Sequence, residues 1–268
     1  MRIVEYRIIV PFRWNQCRIA SVYSVNKRTK QETGGGDGFE ILERSDFEED
    51  GNSGHYVKRV LHCKKQVPKS ISWAIPEKYA HITENNRNAF PHTLTTFSCD
   101  GMGDNMILYA ETRHITYTNG MEIPDNLLKL SEEDTKIREV FYLDILNGPA
   151  SKKKEFDLHD FECEEAGISK LVASSNRSND KEIPEWTQNY AGEMTMIVKV
   201  VKFHFQWRMI QSLLENLVTK TIFYHVYLDS HRAMVKWSPE WVKMSIDDAF
   251  SFEGRIQKEL SQEQFDRD

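Results

Sequence analysis

Counting by twos from Met194 to Trp207 separates two strand faces: Thr195, Ile197, Lys199, Val201, Phe203 and Phe205 on one, and Met194, Met196, Val198, Val200, Lys202 and His204 on the other. Lys199 is the one cation on the first face. An ammonium leaving water unpaired costs several kcal/mol, so Lys199 must snorkel to the surface, meet a buried carboxylate or wait for an anionic ligand. The same alternation predicts a strand from Arg2 to Val10, stopped by Pro11, and helical spacing of Ile19, Val22 and Tyr23 carries a helix to about Lys27. Glu32-Thr33-Gly34-Gly35-Gly36-Asp37-Gly38 then joins this helix to the next strand. It lacks the Lys-Ser/Thr ending of a phosphate loop and runs helix to strand, so it reads as a helix stop and tight connection.

Strands follow: Phe39 to Phe47, a turn at Asp50-Gly51-Asn52-Ser53-Gly54, and Tyr56 to Lys64 returning as a hairpin. Further strands are predicted at Ala80 to Asn85, Thr93 to Cys99, Met106 to His114 and Glu139 to Ile145, and the strand of Lys199 closes the sheet. Short links make that sheet mostly antiparallel. Residues 147–189 are polar and charged, with Lys152-Lys153-Lys154 and an acidic run from Asp160 to Glu165, and read as a long surface loop. The acidic run has no regular metal-ligand spacing and reads as solvated. Met209, Ile210, Leu213, Leu214, Leu217 and Val218 make an amphipathic helix; Ile246, Ala249, Phe250, Glu253, Ile256 and Leu260 make another. The expectation is one α+β domain over residues 1–268.

Lys199 is not the only inward charge. Arg59 shares a face with Val57, Leu61 and Cys63, Glu253 falls in the apolar stripe of the last helix, and Thr112 joins Met106, Leu108 and Ala110. Thr93, Thr95 and Phe97 form a matching set. These residues fit either a core holding a buried Glu253–Arg59 or Glu253–Lys199 pair, or an internal pocket for an amphiphile. In the pocket, a phosphate takes the cation and hydroxyls, a polyol the remaining polar groups, and alkyl chains line the apolar walls. His62, His81, His92 and His114 have no motif partner, and no nucleophile–base–orienter set emerges, so no enzyme is expected.

Net charge is −6 with basic residues scattered, which argues against a nucleic-acid partner. The four cysteines show neither zinc spacing nor close pairing, so reduced thiols in a cytosolic protein are expected, with no metal and no cofactor. Charges interrupt Met1 to Tyr6, which excludes a signal peptide there, and no stretch reaches the ~20 apolar residues of a membrane span. Any membrane contact is peripheral.

Glu5-Tyr6-Arg7 through Pro11, Glu32-Thr33-Gly34-Gly35-Gly36, Asn88-Ala89-Phe90-Pro91, Glu111-Thr112, Lys199 to Trp207, Glu215-Asn216, His231-Arg232 and Trp241 to Asp248 together resemble the phosphatidylinositol transfer proteins. The resemblance covers nearly the whole chain, and the motifs occur in the family's order. It implies a START-like helix-grip fold, a curved, mostly antiparallel sheet with long helices enclosing one phospholipid as cargo. The family's phosphate contacts fall on Thr95, Thr112 and Lys199, and its inositol contacts on Asn88 and Glu253. Its inositol-site threonine becomes Val57, its lysine Arg59, and a headgroup-site glutamine Ser21. Valine removes a hydroxyl hydrogen bond of about 1 kcal/mol, and arginine keeps charge but changes reach, so a weakened inositol preference is implied. A family tryptophan pair becomes Trp207-Arg208, leaving one aromatic membrane anchor. Trp73 and Ile75 lie where the family has its lipid-exchange loop, although a plain hydrophobic contact fits them equally.

The resemblance therefore implies exchange of phosphatidylinositol, and of phosphatidylcholine, between membranes by a cytoplasmic, transiently membrane-associated monomer. Lipid kinases are candidate partners. The alternatives are a phosphatidylcholine or phosphatidic acid carrier or lipid sensor without inositol selectivity, and a helix-grip enzyme using Glu253.

Overall fold

Eight strands form one sheet in the computed structural model, which describes every residue except 34–37, 50, 63–80, 152–153, 175–177, 207–210 and 266–268, with only the backbone described at 49, 52, 104 and 261–265. In chain order they are β1 (Arg2–Val10), β2 (Gly38–Glu49), β3 (Asn52–His62), β4 (His81–Ala89), β5 (His92–Ser98), β6 (Met106–Tyr117), β7 (Arg138–Leu143) and β8 (Met194–Phe205). The spatial order is β2-β3-β4-β5-β6-β8-β1-β7. All pairings are antiparallel except β1 with β7. The strand of Lys199 is thus interior, between β6 and β1, and does not close an edge.

The helices are α1 (Cys17–Glu32), α2 (Glu132–Ile137), α3 (Gln211–Asn216), α4 (Phe223–Lys236), α5 (Ser238–Trp241) and α6 (Ile246–Phe265). A π-helical stretch, Leu217–Ile222, joins α3 to α4. It inserts residues into the apolar stripe, so regular spacing is legible only up to Val218, whereas the helical path runs on to Lys236. Of the stripe expected in α6, Ala249, Glu253, Ile256 and Leu260 are buried, and Ile246 and Phe250 are partly exposed.

The β-branched run of β1 is buried along nearly its whole length, as is β8 beside it. Glu5 and Arg7 sit within this run and neutralise each other: Arg7 Nε donates to Glu5 Oε1 at 2.6 Å, and Arg138 Nη1 donates to Glu5 Oε2 at 2.8 Å. The β2–β3 hairpin pairs Phe47 with Gly54, Glu48 with Ser53 and Glu49 with Asn52, so the ladder runs into the Asp50 to Gly54 span that the sequence suggests as turn. Gly51 has φ +76°, a left-handed backbone that glycine adopts without strain.

The described residues of the stretch 147–189 form short 3-10 turns and an isolated bridge between Cys163 and Ile168, yet the stretch is more than a polar surface loop. Phe156, Leu158, Ala166, Ile168, Leu171 and Trp186 are buried in the core. Single apolar residues without periodicity give no element signal, but each still gains by leaving water. Arg232 of α4 fixes the start of the stretch by donating to the carbonyls of Ile145, Gly148 and Pro149.

Helices meet the sheet at its two ends. α1 and α6 pack together and onto β2, and α4 packs onto β1; among the described residues no helix packs as closely onto β3, β4 or β5. Those middle strands keep most residues partly accessible on both faces. Among the described residues no helix is long and apolar enough to cross a membrane.

Candidate functional site

Strand register brings the inward polar residues together. Lys199 of β8 lies opposite Tyr6 and Thr112, Thr112 opposite Thr93, Thr93 opposite Asn88, and Asn88 opposite His55. The next row is Val201, Ala110, Thr95, Asn86, Val57 and Arg44, and the one after it is Phe203, Leu108, Phe97, Glu84, Arg59 and Ile41. Directly paired residues share a face, so Val57, Arg59, Asn88, Thr95, Thr112 and Lys199 all point the same way. That way is toward the helices: Arg59 Nη1 donates to Thr29 Oγ1 of α1 at 3.2 Å, and Lys199 Nζ lies 5.1 Å from the Tyr227 ring centroid of α4.

Lys199 Nζ donates to Thr112 Oγ1 at 3.2 Å, and among the described residues no carboxylate lies within ion-pairing distance. Burial alone pushes its ammonium down from 10.5 to about 8. The side chain nevertheless keeps some accessible surface, being enclosed without being sealed. Its neighbours offer no counter-charge. Burial, then the Lys199 charge, holds His114 down at about 4 and His231 at about 3, so both are neutral near pH 7. Burial raises the Tyr6 and Tyr227 hydroxyls, which therefore stay protonated, and the Tyr6 hydroxyl is buried without a hydrogen-bond partner among the described residues.

The other inward charges are paired. Arg59 Nη2 donates to Glu84 Oε1 at 2.9 Å, its guanidinium lies 4.4 Å from the Phe39 ring centroid, and its Nε has no hydrogen-bond partner among the described residues. Glu253 Oε1 accepts from Asn26 Nδ2 at 3.2 Å, while Oε2 lies 3.1 Å from Arg44 Nε without completing a hydrogen bond. The expected Glu253–Arg59 or Glu253–Lys199 pair is therefore not formed. Register explains why, because Glu84 is the direct cross-strand neighbour of Arg59.

Thr95 accepts from Asn86 Nδ2 at 2.8 Å, and Thr93 donates to Asn88 Oδ1 at 3.1 Å, forming a polar track across β4 and β5. Ser21 is partly exposed on α1, and none of the described hydrogen bonds joins it to Lys199, Thr95 or Thr112. Trp73, Ile75 and Trp207 lie outside the described residues. Sequence reasoning missed Tyr6, Arg44, Glu84, Asn86 and Tyr227. Glu84 and Asn86 are in phase with Asn88, so a period-2 count along β4 carried the signal. Arg44 is masked by a β-bulge between Ile41 and Glu43, which switches the inward parity of β2 from odd to even.

An eight-stranded, mostly antiparallel open sheet with helices gripping one face defines an α+β, START-like helix-grip protein. Residues 1–258 match the family described as phosphatidylinositol transfer protein. The chain is 30% identical over 261 residues to phosphatidylinositol transfer protein 2 of Dictyostelium discoideum, covering 97% of this chain and 96% of that one. It is 27% identical over 262 residues to the human phosphatidylinositol transfer protein beta isoform, covering 96% and 93% respectively. Phosphatidylinositol transfer protein 4 of Dictyostelium discoideum is 29% identical over 254 residues, 94% of this chain and 73% of its own. The chain belongs to the phosphatidylinositol transfer protein family.

Proposed function

We propose that this chain carries one phospholipid between membranes, enclosed between the inner face of β3–β6 and β8 and helices α1, α4 and α6. The observation that carries the reading is Lys199: an enclosed ammonium with no counter-charge among the described residues, beside the Thr112 hydroxyl. A lipid phosphodiester supplies the missing negative charge and accepts from both donors. The gathering of helices at the ends of the sheet supports an enclosed lipid, since acyl chains then lie along the middle strands. Enclosure is needed: at ~0.8 kcal/mol per methylene, some thirty methylenes exposed to water cost on the order of 25 kcal/mol.

Thr95 and Ser21 supplement the phosphate donors, and Arg59, Asn88 and Glu253 face the inositol, with Val57 contributing only a wall. Trp73, Ile75 and Trp207 anchor the opened protein at a membrane during exchange. The cargo is phosphatidylinositol or phosphatidylcholine, the carrier a cytoplasmic monomer contacting membranes transiently, and lipid kinases are recipients of the delivered lipid. Exchange needs no covalent chemistry, cofactor or metal.

Native mass spectrometry of lipid retained through purification tests this reading. One inositol or choline phospholipid per chain is expected, and a chain that purifies with no phospholipid contradicts it. The pairing of Arg59 with Glu84, together with Val57, favours a second reading, a phosphatidylcholine or phosphatidic acid carrier or sensor with no inositol selectivity. Abundant choline lipid with inositol lipid absent selects it. An enzyme using Glu253 is disfavoured by the engagement of its carboxylate with Asn26 and Arg44; turnover abolished by Glu253→Gln would restore that reading.

A further inference from the structure

Glu253 is nearly buried on the stripe of α6 that faces the sheet, where a headgroup hydroxyl would seek an acceptor. One of its oxygens is committed to Asn26, and the guanidinium of Arg44 sits 3.1 Å from the other. Arg44 is held there from several sides. Its Nη2 is 2.9 Å from His55 Nε2, its guanidinium carbon lies 5.6 Å from the Phe250 ring centroid, and a Cβ built on Gly254 would come within 3.5 Å of its Nη1. The guanidinium thus lies against α6 at Gly254, and the bulge at Ile41/Glu43 turns Arg44 inward. A carboxylate whose charge is compensated by a fixed guanidinium is a weaker acceptor for an uncharged hydroxyl than a free one.

We propose that Arg44 is a specificity-determining residue: by occupying Glu253, it lowers the preference of this chain for polyol headgroups relative to headgroups without hydroxyls. The inference rests on the carrier reading above. It locates selectivity outside the phosphate site, in an ion pair between the β2 edge and α6. Freeing Glu253 turns it toward the headgroup.

The test compares transfer of labelled phosphatidylinositol and labelled phosphatidylcholine from phosphatidylcholine vesicles by the unsubstituted chain and by Arg44→Gln. The inositol-to-choline ratio should rise roughly fivefold, the worth of about one net hydrogen bond. An unchanged or lower ratio overturns the proposal. Arg44→Lys, which keeps length and charge but loses the fork, should move the ratio the same way by a smaller amount, and serves if the glutamine variant does not fold. In a Glu253→Gln background, Arg44→Gln should shift the ratio no further; an additive shift shows that Arg44 acts elsewhere and also overturns the proposal. If the unsubstituted chain transfers neither lipid, the carrier reading falls and this inference with it, whereas normal transfer with an unmoved ratio removes the inference alone.

Discussion

β1 and β8 are sealed along almost every residue, whereas β3, β4 and β5 remain partly accessible along almost every residue, although all belong to one sheet. In the first pair the buried charges of β1, Glu5 and Arg7, are matched within the fold. The middle strands carry Asn86, Asn88, Thr93 and Thr95 on the face toward the helices, a polar track unsuited to a dry core. Lys199 lies where the two regions meet, on a sealed strand but facing the polar side. On the carrier reading the difference is a division of labour, stability from β1 and β8 and recognition from the middle strands.

The largest effect should separate the regions by stability. Ile8→Ala, in the sealed pair, is expected to lower unfolding free energy by about 2–5 kcal/mol, whereas Thr95→Ala should cost about 1 kcal/mol or less and reduce lipid exchange. Urea denaturation of both variants checks this, and equal losses would erase the distinction. The next effect concerns pH. The unfolded chain keeps Lys199 protonated up to 10.5, while the delipidated fold releases that proton from about 8. The unfolded state binds more protons between these values, so stability should rise with pH across that window by on the order of 3 kcal/mol. Lys199→Met should remove that rise, and bound phospholipid should flatten it by raising the lysine again. The same slope in both chains would show that the amine is not desolvated. Smallest, Asn88→Ala should reduce inositol-lipid transfer roughly fivefold with little change for choline lipid. Equal reductions of both in vesicle exchange would take Asn88 out of headgroup selection.

Regular repetition made much of this fold legible before any coordinates. β1 and β8 carry period-2 or unbroken apolar runs, and Lys199 stood out because its face was otherwise suited to burial. The inward set Val57, Arg59, Thr95, Thr112 and Lys199 is joined by register, which parity within separate strands anticipated, whereas Asn88 on the same face was offered by the family resemblance alone. What stayed hidden depends on breaks in period or on tertiary neighbours. The bulge in β2 hid Arg44, the π stretch hid the continuation into α4, and the isolated apolar residues of 147–189 gave no sign that the stretch is anchored. Partners for Arg59 and Glu253 required knowing which strands adjoin, which no local pattern contains.

The account turns on Lys199 as the holder of a phosphate shared by all phospholipids, and exchange by Lys199→Ala tests that most directly. Measured between vesicles against the unsubstituted chain, transfer of phosphatidylinositol and of phosphatidylcholine should each fall at least about tenfold, as expected for loss of a charge-assisted contact. Undiminished transfer of either lipid by a folded Lys199→Ala chain would contradict the account.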